Sequence, residues 1–80
     1  PEEKQRRYSE QELEKLLAKV ELNIREQEAM LKLLEKQLAD PANHEDLENS
    51  ARLAEEYEKM KKKIDKLMLK WEELMAADEE

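Results

Sequence analysis

The sequence predicts an all-α fold, a two-helix antiparallel coiled-coil hairpin, and three observations point to it. Apolar residues recur at alternating spacings of four and three on both sides of one short central turn. The chain has no glycine, and its two prolines, Pro1 and Pro41, lie outside those repeats, so nothing interrupts a long helix on either side. With 46% charged and 4% aromatic residues, the 80-residue chain has too little apolar material for a thick core but enough for a narrow seam.

Residues 1–8 read as a polar, basic lead-in. Ser9-Glu10-Gln11-Glu12 then has the pattern of a capping box, Ser9 at the N-cap and Glu12 three positions on, and predicts a first helix over 9–39. Its seam is Leu13, Leu17, Val20, Ile24, Gln27, Leu31, Leu34 and Leu38, in which Gln27 is the polar member. Pro41 disfavours helical backbone at the residue before it, which predicts a turn over 40–45. Asn43 is the expected N-cap of the second helix, with Asp46 three positions on and Glu45 and Asp46 facing the positive end of the helix dipole. Alternatively, Asp40 caps a turn beginning at Pro41. A second helix is expected over 46–77, with the seam Leu53, Tyr57, Met60, Ile64, Leu67, Trp71 and Leu74; residues 78–80 form an acidic tail.

Folding the second seam back on the first sets Leu34 against Leu53, Leu31 against Tyr57, Gln27 against Met60 and Ile24 against Ile64. The match continues through Val20 and Leu67, Leu17 and Trp71, and Leu13 and Leu74. A slip of one residue would rotate a helix by about 100° and carry every knob off the seam, so the repeat predicts a register as well as a fold. Glu14, Glu21, Glu28 and Glu35 flank the first seam, and the register places Glu28 opposite Lys61, where a surface ion pair is expected. Leu22, Ala29, Leu33 and Leu69 fall off both seams and are expected to be exposed.

The chemistry available is limited. The formal charge of −7 opposes indiscriminate binding to nucleic acid or to an anionic membrane, although it permits a local basic patch. The lack of cysteine removes any disulfide or thiolate-metal framework and fits a reducing compartment. No apolar run approaches the ~20 residues needed to span a bilayer, and no signal peptide is apparent. The first residue, Pro1, suggests a segment of a longer protein. His44, the only histidine, stands in the turn without a second strong ligand nearby and is expected to be solvated rather than metal-bound or catalytic. Paired carboxylates such as Glu55-Glu56 and Glu72-Glu73 point to different sides of a helix, and no dry pocket is foreseen to raise a carboxyl pKa. The chain is therefore expected to be non-catalytic, with no catalytic residues and no metal site. Trp71 and Tyr57 are expected to pack in the seam rather than stack on bases.

The cations form the most suggestive pattern. Lys61-Lys62-Lys63 fan over about 200° of the helix and cannot face one ligand. Lys59, Lys63, Lys66 and Lys70, spaced four, three and four, line one side of the second helix, with Lys19 of the first helix brought alongside by the fold-back. Such a stripe could follow a phosphate backbone, and Arg6 and Arg7 could add two contacts. A solvated coil flank, with Glu55 to Lys59 and Glu58 to Lys62 as helix-stabilising pairs, accounts for the same spacing.

Arg6-Arg7-Tyr8-Ser9 followed by Glu10-Gln11-Glu12-Leu13, the turn Leu38-Ala39-Asp40-Pro41, and Trp71-Glu72-Glu73-Leu74 together resemble the C-terminal domain of ABC-F ATPases of the Uup type. The likeness covers about residues 4 to 75. It implies the coiled-coil tail of a bacterial cytoplasmic protein with two ATP-binding cassettes and no membrane domain. The implied cofactors, ATP and magnesium, would belong to the parent protein and not to this segment. The implied partners are DNA, including branched DNA, or ribosomal RNA, contacted by Arg6, Arg7, Lys19, Lys59, Lys63, Lys66 and Lys70 on a monomeric hairpin. A different expectation is a spacer that docks on its own ATPase module, on a ribosomal protein or on another copy through Leu22, Leu33 and Leu69.

Overall fold

The computed structural model describes residues 8–78. Helix α1 runs Glu10–Ala39, a short 3-10 turn occupies Pro41–His44, and helix α2 runs Leu47–Asp78. The two helices pack against each other as an antiparallel hairpin with no strand among the described residues, and the rod measures 65 × 19 × 13 Å. Long helices are expected from this composition because glutamate, lysine, leucine, alanine and methionine all have high helix propensity. Tertiary pairing along the seam is what holds them in register.

Every seam position read from the four-three repeat is buried or half-buried. Leu13 and Leu74, at the open end, are 2% exposed; Leu53 and Ile24 are buried as well. The remaining seam residues are half-covered, the consequence of a two-stranded coil that has only one partner surface for each helix. Leu22, Leu33, Leu69 and Ala29 lie on the outside, as their position off the repeat requires. Gln27 is half-buried and donates its amide to Asn23 Oδ1 at 3.3 Å, one turn back, which satisfies part of the polar group in that layer.

Helix α1 begins one residue after Ser9, which is its N-cap. The capping box closes in both directions, Glu12 N–H to Ser9 Oγ at 3.1 Å and Ser9 N–H to Glu12 Oε1 at 2.9 Å. The second of these bonds stabilises the charged carboxylate, and the Glu12 pKa is lowered, the Ser9 backbone bond being the larger cause and the Ser9 hydroxyl the smaller.

The turn corrects the expected capping. Asp46, rather than Asn43, caps α2: its Oδ1 accepts from Glu48 N–H at 3.1 Å and Asn49 N–H at 3.2 Å, and its carbonyl accepts from Ser50 N–H at 2.9 Å. Asp40 caps the 3-10 turn through Ala42 N–H at 3.0 Å, with Pro41 in its first turn. Helix α2 accordingly starts at Leu47, one residue later than expected. Asn43 instead joins the two helices. Its Nδ2 donates to Gln37 O at 2.7 Å, its Oδ1 accepts from Asn49 Nδ2 at 3.1 Å, and its carbonyl accepts from Ser50 Oγ at 2.6 Å. The physical reason is the side-chain inventory. A carboxylate only accepts, which suits orphan N–H groups at a helix start, whereas an amide can also donate to the orphan carbonyls at a helix end.

Candidate nucleic-acid interface

Between residues 59 and 70 the sequence carries six lysines and one aspartate, a strongly cationic stretch in a chain of net charge −7. Helical period places Lys59, Lys63, Lys66 and Lys70 on one side of α2, about 100° from its seam, over a length of roughly 16 Å. All four are exposed, and none has a hydrogen bond or ion pair with another described residue. Lysines that are exposed and unpaired keep their full charge available to an anion, with only their own hydration to displace. Lys59 and Lys63 border a common groove with Glu56, Met30, Leu34 and Met60. Lys19 is exposed on α1 near the level of Lys66 and Lys70 in the antiparallel register. Arg6 and Arg7 lie outside the described residues.

The neighbouring charges are arranged differently from the sequence expectation. Glu28 and Lys61 form no ion pair; the Lys61 ammonium lies 5.4 Å from the Tyr57 ring centroid, one turn away on its own helix. At an exposed site a contact within one helix turn has little to lose to a cross-helix ion pair worth under ~1 kcal/mol. Glu55 does not pair with Lys59, nor Glu58 with Lys62. Among the described residues Arg52 is the cation that does pair on the lysine flank, reaching Glu56 Oε1 at 3.2 Å and Asn49 Oδ1 at 2.7 Å.

On the opposite flank Trp71 is half-buried and its Nε1–H donates to Glu21 Oε2 at 2.9 Å across the helix pair. Glu21, Ile24, Arg25, Met68 and Trp71 line one shallow cleft there, which brings Glu21 beside Met68 as the fold-back register requires. The indole bond was not read from the sequence, although a seam tryptophan whose register partner, Leu17, stands one turn before Glu21 is the signal for it. His44 is exposed, and its Nε2 bonds the carbonyl of Leu38, so that nitrogen carries the proton. Among the described residues no cluster of three or more histidine, cysteine, aspartate or glutamate side chains could hold a metal ion. No described helix is long and apolar enough to cross a membrane.

Protein-family models, curated proteins and solved structures were each compared with the chain, and none matches.

Proposed function

We propose that this chain is a non-catalytic accessory hairpin that contacts nucleic acid weakly through one side of α2. The observation that carries the reading is the line of four exposed lysines, Lys59, Lys63, Lys66 and Lys70, unpaired among the described residues, on a rod otherwise rich in carboxylates. Their spacings of about 6, 4.5 and 6 Å along the axis suit successive phosphates of one strand. The acidic remainder of the rod repels the polyanion, which confines contact to this flank and keeps affinity low. The likeness to the coiled-coil tail of Uup-type ABC-F ATPases supports the same reading. On it, a cytoplasmic ATPase module would precede this segment, and DNA or ribosomal RNA would be the target, with Arg6, Arg7 and Lys19 adding contacts.

The test is a fluorescence titration of labelled duplex DNA, branched DNA and ribosomal RNA across a range of salt concentrations. With about four to six phosphates engaged, binding to duplex should fall with a log-log salt slope of about −0.9 per phosphate. Replacing Lys59, Lys63, Lys66 and Lys70 with glutamine should remove that dependence and leave helicity unchanged. Absence of saturable binding to all three nucleic acids at low salt would overturn the proposal.

A further inference from the structure

The hairpin leaves the middle of its seam partly open, and its two flanks differ in what borders the opening. On the lysine side Met30, 51% exposed, joins the half-buried Leu34 and Met60 as the apolar lining of a shallow groove of about 360 Å³. Lys59, Lys63 and Glu56 complete it, but Glu56 is already paired with Arg52, so the unsatisfied charge at this rim is cationic. Lys66 and Lys70 continue that rim along the same side of α2. The grooves of the other flank have mixed borders, with Glu21 and Arg25 at one and Arg25, Glu28, Lys32 and Glu35 at the next.

We infer that the methionine groove receives an acidic amphipathic helix from a partner protein, which lays an apolar stripe on Met30, Leu34 and Met60 and sets its carboxylates against Lys59, Lys63 and Lys66. Helices dock in such grooves through residues at three- and four-residue spacing, and the lysines repeat at four and three, so one row of carboxylates on the incoming helix matches them. Unbranched methionines adjust to different apolar partners, which suits a surface that must exist with and without its occupant. A third helix would also complete the burial that two helices leave half-finished. Charge decides the occupant: a basic helix would meet like charge along the whole rim. A nucleic acid would use the lysines but leave the methionines in water. A second copy of this chain would bring its glutamate flank, in which Arg25 and Lys32 stand among the carboxylates, and a further charge of −7. The inference is independent of nucleic-acid binding, although it draws on three of the same lysines.

The experiment uses the 80-residue chain and a labelled synthetic helix of about three heptads, with leucine on one face and glutamate beside it. One control peptide has lysine for every glutamate, and another has the same composition in scrambled order. Anisotropy titration should show saturable binding of the leucine–glutamate peptide about tenfold tighter than either control, with about tenfold loss in Met30→Gln. The double variant Lys59→Glu and Lys63→Glu, both at exposed positions, should shift preference toward the lysine peptide. Circular dichroism of each variant should remain helical, and duplex-DNA binding should be unchanged in Met30→Gln. Equal binding of the scrambled peptide, or unchanged affinity in Met30→Gln, would overturn the inference. So would a dimer of the chain alone, seen by sedimentation and abolished by Met30→Gln, since the groove would then belong to a second copy. Loss of duplex binding in Met30→Gln would likewise overturn it and give the groove to nucleic acid. If the peptide binds and no nucleic acid does, the docking inference stands and the proposed nucleic-acid function falls.

Discussion

The two ends of the hairpin are closed by different chemistry. At the open end Leu13 and Leu74 are almost fully buried, and Trp71 reaches across the pair to Glu21. At the turn the closure is largely polar: Asn43, Asp46, Asn49, Ser50 and Asp40 satisfy backbone groups of both helices and one another. The contrast follows from what each end lacks. The turn has its two helices covalently joined, so proximity is assured, but the final carbonyls of α1 and the first N–H groups of α2 need partners. The open end has no covalent link between its strands, and there apolar burial provides the attraction that keeps the chain from fraying.

Four substitutions test that contrast, in falling order of effect. Leu74→Ala removes half of the buried pair at the open end and should cost ~2–5 kcal/mol in chemical denaturation, with amide exchange rising first near Leu13. Asn43→Ala deletes the bonds to Gln37 and Asn49 and should cost ~1–3 kcal/mol, with faster exchange confined to the turn and the rest of the rod protected. If Asn43→Ala instead loosened the open end as much as the turn, the two closures would not be separable. Gln27→Leu extends apolar closure into the middle of the rod and should raise stability by about 1 kcal/mol, measured as a higher denaturation midpoint. Ser9→Ala removes an exposed cap at the open end and should cost about 0.5 kcal/mol, the low end for such caps.

The capping box also gives a pH dependence whose sign is set by Glu12. Its pKa is lowered in the folded chain by bonds from Ser9. The carboxylate therefore contributes stability that is complete above the ordinary glutamate value of about 4.3 and is lost as pH falls through the lowered folded value. Acid titration of helicity should show a step in that window which is reduced in Ser9→Ala, where the backbone N–H at position 9 still donates, and absent from Glu12→Gln.

Much of this architecture was legible because it is periodic. A four-three repeat specifies which side of each helix is covered, and every residue of the repeat is buried or half-buried, with Leu16 and Asn23 half-buried beside it. The Ser9 box was legible because both partners lie within one turn. The turn was less so: aspartate and asparagine are equally good N-caps, and the choice between Asn43 and Asp46 is decided by the carbonyl of Gln37 on the other helix. Flank chemistry divided in the same way. The lysine row follows from spacing on α2 alone, whereas the methionine groove requires Met30 and Met60 from different helices. The Glu28–Lys61 pair failed because surface charges have several weak options, and Tyr57 lay one turn away from Lys61.

The reversal between the helices contains no glycine, and no described residue has positive φ. Direction is changed entirely with right-handed and extended backbone, fastened by side chains that all lie within residues 40–50. The turn is thus a self-sufficient hinge piece, indifferent to how far the arms extend beyond it. Deleting one heptad from each arm at matched layers would shorten the rod by about 10 Å and leave both closures as they are. Reach is the quantity such a hairpin can change most freely over generations, as a ruler is recut without altering its ends.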